Sequence, residues 1–141
     1  MRAYNVSVLL LALLLPAVPA SAQHQWRPLN APASSPYSVN LASLRWTGTT
    51  LVADVRSPIG AGAFAIVSHE VRCENLAVRL GRSTTYYADT GELVSSPANA
   101  SPGTWVAYGP GSDGRILAAA ICRLGRERGV VPRPHASSSS S

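Results

Sequence analysis

Ser68-His69-Glu70-Val71-Arg72-Cys73-Glu74-Asn75-Leu76-Ala77-Val78-Arg79-Leu80 is the stretch on which the fold turns. Up to Cys73 the alternation is that of a strand: Val67, His69, Val71 and Cys73 share one face, and Ser68, Glu70, Arg72 and Glu74 share the other. After Asn75 the parity flips, and Leu76, Val78 and Leu80 become the apolar set. A slip of one residue sends every side chain to the opposite face. A bulge or a tight turn is therefore expected near Glu74-Asn75, between a strand over Ala63 to Asn75 and a second extended piece that resumes through Thr84 to Tyr87.

Downstream, Tyr86-Tyr87-Ala88-Asp89-Thr90-Gly91 reads as a hairpin-like turn, with Leu93 to Ser95 returning. Ser96 to Gly103 is a loop, and Trp105 to Tyr108 is a short strand stopped by Gly109-Pro110-Gly111. Ser112 is a helix N-cap with Asp113 in the first turn, where a carboxylate suits the helix dipole. Ile116, Leu117, Ala120, Ile121 and Leu124 make an apolar stripe at helical spacing, and Arg123 and Gly125 suit the C-terminus. Cys122 lies off this stripe, so the helix is expected to end or bend near it; a strand over Leu117 to Cys122 is the alternative. Upstream, Trp26 sits in a short first strand stopped by Pro28, and Tyr37 to Leu44 is a second extended piece ending in a small turn. Thr49 to Arg56 alternates as a half-buried strand, and Ser57 to Gly62 is a turn.

The first 22 residues have the order of a secretory leader: Arg2, an apolar run from Val6 to Leu15, then Ala20-Ser21-Ala22 as the cleavage signal. The apolar run is short of the ~20 residues that span a bilayer, and no cysteine near the cut offers a lipid anchor. Cleavage there leaves 119 of the 141 residues, enough for one domain. The chain is thus expected to be periplasmic or secreted, with a domain over residues 23–125 and a disordered Pro/Arg/Ser tail over 126–141. Export permits a disulfide, and with two cysteines in the chain Cys73–Cys122 is the one intramolecular pairing available. The twelve basic residues are all arginine, against seven acidic ones, for a net charge of +5. They are scattered apart from Arg123, Arg126 and Arg128, which is the pattern of a solvated surface and argues against nucleic-acid binding.

The order of these pieces resembles the surface-adhesin protein E family of exported bacterial proteins. The resemblance rests on Trp26, Tyr37-Ser38-Val39-Asn40 with Ser43-Leu44-Arg45, Glu70-Val71-Arg72-Cys73, Tyr86-Tyr87-Ala88-Asp89-Thr90-Gly91, Trp105, Pro110-Gly111-Ser112 and Ile121-Cys122. It implies an α+β fold in which an antiparallel sheet packs with a C-terminal helix, a bonded cysteine pair, a homodimer, and adhesion to host extracellular-matrix proteins. This chain departs from the family in lacking the lipoprotein cysteine and any lysine.

No catalytic constellation emerges from the sequence, and neither a metal nor a cofactor is expected. His24, His69 and His135 are too far apart for a local zinc motif, and His69 on an apolar strand face reads first as a core or interface histidine. No Gly-x-Ser-x-Gly elbow is present. The Gly109–Gly114 run lacks the lysine of a phosphate-binding loop and reads as a capped turn. The function expected is a non-enzymatic binding module with a protein ligand, the alternative being a periplasmic enzyme or enzyme inhibitor. Tyr86, Tyr87, Trp105 and Tyr108 either fill the core and rim of the sheet or, with Arg79 and Arg82, form a protein-interaction surface. An open sheet edge would also admit a homodimer or strand addition.

Overall fold

The computed structural model describes residues 25–29, 35–97 and 101–132. The expected leader, His24, His135 and the end of the chain from residue 133 lie outside the described residues. The elements are β1 (Trp26–Pro28), β2 (Ser38–Asn40), a 3-10 turn (Leu41–Ser43), β3 (Arg45–Thr47), β4 (Thr50–Ile59), β5 (Ala63–Arg72), β6 (Ala77–Tyr87), β7 (Leu93–Ser95), β8 (Val106–Ala107) and α1 (Asp113–Glu127). The strands form an eight-stranded sheet in the order β1-β2-β4-β5-β6-β7, with β3 also on β4 and β8 also on β6. Every pairing is antiparallel. The fold is the α+β arrangement expected, with one sheet and one C-terminal helix.

The parity flip is a tight turn. β5 ends at Arg72 and β6 begins at Ala77, and the Asn75 side-chain oxygen accepts from the Ala77 backbone N–H at 3.1 Å. Leu76 takes φ of 56°, a left-handed conformation that costs a non-glycine residue roughly 1 kcal/mol or more. Its side chain packs against the core, which offsets that strain. A second irregularity has no counterpart in the sequence reading: the β5–β6 register shifts between Val67 and His69, so that Ser68 faces both Gly81 and Arg82. The turn expected over Ser57 to Gly62 is shorter, because β4 runs on through Pro58 to Ile59 and only Gly60 to Gly62 reverse the chain. Gly60 and Gly62 both have positive φ.

Register fixes the two faces. Leu51, Ala53 and Val55 of β4 pair with Val71, His69 and Val67 of β5, and Val71 and His69 pair in turn with Val78 and Leu80 of β6. This inner face packs against α1, which buries Leu117, Ala118, Ala120, Ile121, Cys122, Leu124 and Gly125. Ser112 caps α1 as expected, its Oγ accepting from the Arg115 N–H at 3.4 Å and donating to the Gly109 carbonyl at 2.7 Å.

Three expectations for the C-terminal part are corrected. Cys122 neither ends nor bends the helix; it follows Ala118 by one turn on a broad apolar face, is fully buried, and is bonded to Cys73 with their Cα atoms 5.7 Å apart. Gly125 is not the terminator. A Cβ there would stand 2.7 Å from Leu51 Cδ2 and 2.8 Å from Val131 Cγ2, so this glycine is a close-packing position. The helix ends instead at Arg128 and Gly129, the latter at φ 70°. The domain therefore does not stop at residue 125: the Val130 and Val131 N–H groups donate back to the Gly125 carbonyl, and Val131 is buried in the core.

Two stability outcomes follow from this docking. Cys73 and Cys122 are separated by 49 residues, a loop whose closure the chain-entropy relation values at roughly 4 kcal/mol. Cys73→Ala should lower the thermal midpoint markedly, as read by circular dichroism against wild type under non-reducing conditions. Gly125→Val should destabilise by about 1–3 kcal/mol, because two buried side chains must move; urea denaturation measures it, and an unchanged midpoint would mean that the helix does not sit this close to Leu51.

Candidate functional site

Two surfaces carry chemistry, one on each side of the sheet. The outer side has no helix or strand over it among the described residues, and cross-strand pairing sets its rows. Arg45 pairs with Val52, Val52 with Glu70 and Glu70 with Arg79, a row across β3, β4, β5 and β6. Pro58 pairs with Phe64 and Phe64 with Tyr86, a row at the other end. Five arginines (Arg45, Arg56, Arg72, Arg79 and Arg82) lie on this side, against the carboxylates of Asp54 and Glu70.

The arginines are ordered by what they lie on. The Arg56 guanidinium sits 3.9 Å from the centroid of the Phe64 ring, which stacks on Tyr86 with centroids 5.3 Å apart. Arg72 and Arg79 lie over Trp105 at 4.1 and 4.9 Å. Arg79 also donates from Nε to the Glu70 carboxylate at 3.2 Å and pairs with it through Nη2. Planar cations on aromatic faces are attracted by the ring quadrupole, and the aliphatic stems shield the strand beneath. Trp26, Asp54, Ser68, Arg82 and Tyr86 line a groove of about 260 Å³ between the two clusters.

The six residues expected to form an interaction surface do not form one patch. Arg79, Arg82, Tyr86 and Trp105 lie on the outer side. Tyr87 follows Tyr86 on the same strand, so by alternation it faces the other way, paired with Ala63 and exposed at the strand's end. Tyr108 lies on the helix side, its ring 2.7 Å from where a Cβ on Gly114 would be. Sequence reading missed Arg56, Phe64 and Arg72. Their parity was visible, but that they meet Tyr86 and Trp105 depends on the register between strands.

The second surface is a cleft of about 320 Å³ between the inner face and the N-terminal half of α1. Val55, Val67, Leu80 and Leu117 line it, with Tyr37 and Tyr108 also on its walls and Asp113, Ser57 and His69 as its other polar groups. His69 Nδ1 lies 3.0 Å from the Val67 carbonyl oxygen. A carbonyl only accepts, so Nδ1 carries the proton and donates. Burial holds the His69 pKa below its ordinary value of 6.5, against smaller upward pulls from the Val67 carbonyl and the Asp54 charge. Although His69, Asp113 and Ser57 share the cleft, no hydrogen bond links His69 to either of the other two among the described residues, so no nucleophile and base are paired. No cluster of metal-ligating side chains occurs among the described residues.

The depressed His69 pKa sets a pH dependence. The unfolded chain takes up this proton at pH values where the folded protein still refuses it, so stability falls as pH drops below about 6.5 and keeps falling until the folded-state pKa is passed. Comparing wild type with His69→Gln by urea denaturation between pH ~7.5 and ~5, above the range where carboxylates titrate, should show a smaller loss in the variant. Parallel profiles would mean that His69 is not held neutral.

No family model and no curated protein sequence matches this chain. Among solved structures it is similar to Haemophilus influenzae protein E in its crystal form II, with a TM-score of 0.54 and 14% identity over 66% of this chain and 84% of that one. At that identity the likeness is one of fold, and side-chain chemistry is not carried across.

Proposed function

We propose that the protein is an exported, non-enzymatic binding module that engages an acidic segment of a protein partner through the uncovered outer side of its sheet. The observation that carries this reading is the pair of Arg–aromatic clusters, Arg56 on Phe64–Tyr86 and Arg72 with Arg79 on Trp105, on a side where arginine outnumbers carboxylate. Arginine and aromatic residues are the side chains that anchor protein interfaces, and guanidinium groups suit carboxylate partners. The leader-like N-terminus and the fold shared with protein E support export. With the resemblance to the adhesin family, they make host extracellular-matrix or bacterial envelope proteins the partners to test. Catalysis has no support in the cleft, where the one histidine is paired to its own strand's backbone.

Immobilised protein should capture a partner from solubilised host matrix or from periplasm, with an affinity that falls as salt rises. The double substitution Arg56→Ala, Arg82→Ala should weaken capture about tenfold or more while lowering the thermal midpoint only modestly, since Arg82 is exposed and Arg56 is half-buried over Phe64. Equal capture by the double variant would place the contact elsewhere, and absence of any saturable partner in both sources would remove the binding-module reading.

A further inference from the structure

We propose that the cleft between the inner sheet face and α1 is a binding site for a small, uncharged, largely apolar molecule carrying one O–H or N–H donor, which it gives to Nε2 of His69. Phenols, indoles and hydroxylated hydrocarbons are the chemical class. This site is on the opposite side of the sheet from the proposed protein-binding surface and does not rest on it.

The size and shape come first. At about 320 Å³ the cleft lies at the lower end of the roughly 300–1,000 Å³ usual for small-molecule sites. The Cys73–Cys122 bond and the Gly125 contact hold the second half of the helix against Leu51, and the Tyr108 ring packs directly on Gly114 at its start. The space lies between these two holds, where the small residue Ala118 lines it together with Val55, Val67 and Leu80. Tyr37 and Tyr108 flank the space, which suits a flat ring.

The polarity comes from His69. Its Nδ1–H is committed to the Val67 carbonyl, so in the neutral ring Nε2 bears a lone pair and can only accept. No protein group among the described residues donates to it, yet no side-chain nitrogen or oxygen there is both buried and unpartnered. Nε2 therefore opens into the cleft. Burial keeps the ring neutral at ordinary pH, so the acceptor is present when a ligand arrives. The charge pattern excludes anions: no arginine lines the cleft, and Asp113 stands at its helical wall. What remains is a neutral body with a single donor.

The probes are 2-naphthol and 2-methoxynaphthalene, which share a ring system and differ in whether the oxygen carries a proton. Titration calorimetry on the intact protein should show saturable 2-naphthol binding, with the methyl ether about tenfold weaker, the worth of one hydrogen bond to an otherwise unmet acceptor. In His69→Phe the two probes should bind alike. Because that variant could fail to fold, nitrogen-15 spectra of wild type give a second readout: the His69 Nε2 resonance should move with 2-naphthol and stay in place with the ether. Equal affinities in wild type, an unmoved Nε2, or no saturation by 2-naphthol would each overturn the proposal.

Discussion

The docking of one helix against one sheet face is the constraint on which the rest of this structure depends. A sheet of this size must hide one side to fold, and α1 is the only helix among the described residues that can do so. Its grip is concentrated in its second half. There Cys122 is bonded to Cys73 at the end of β5, Ile121 and Leu124 are buried, and Gly125 admits Leu51 and Val131 to a distance no side chain would allow. The cross-link acts on the unfolded chain by closing a long loop, and the glycine acts on the folded chain by removing a clash. The two act on the same contact from opposite ends of the folding equilibrium.

Between that grip and the contact of Tyr108 on Gly114 at its start, the helix leaves a gap over the sheet. The gap lies over Val67, His69 and Leu80, and it places a half-buried histidine where an apolar wall would otherwise close. Val67 supplies both a wall of the gap and the carbonyl that sets the histidine's tautomer. A residue that reads as ordinary strand core thus determines which way the histidine in that wall can hydrogen-bond.

Much of the fold was legible in the sequence because it rests on local rules. The flip of parity after Asn75 located a turn, since period-two alternation cannot survive a reversal without a change of phase. Ser112 and Asp113 announced the helix start, and two cysteines behind a leader-like N-terminus announced their bond. The failures have one physical source, which is contact between distant segments. Gly125 looks like a helix stop until Leu51 and Val131 are seen beside it. Cys122 looks misplaced until the apolar face proves broad enough to include it. The shift that sets Ser68 against Gly81 and Arg82 belongs to a pair of strands, and neither strand alone shows it. The expected aromatic surface failed more simply: Tyr86 and Tyr87 are neighbours on a strand and cannot serve one face together.

That alternation also separates the two candidate sites more sharply than distance would. β5 carries His69 toward the helix and Ser68 and Glu70 away from it, so one strand backbone lies between the cleft and the arginine-rich side. The outer side keeps its own order: Arg79 is held by Glu70 and Trp105, and Arg56 by Phe64. None of these partners touches the helix. The inner side is ordered by the disulfide, the glycine contact and the Val67 carbonyl, none of which involves an outer side chain. Substitutions on the two sides share no side-chain partners, and effects at such independent sites usually add. A sheet covered on one side can therefore present a charged surface to a macromolecule and an apolar cleft to a small molecule, with the Asp54 charge on the outer side reaching His69 only as a minor upward pull on its pKa.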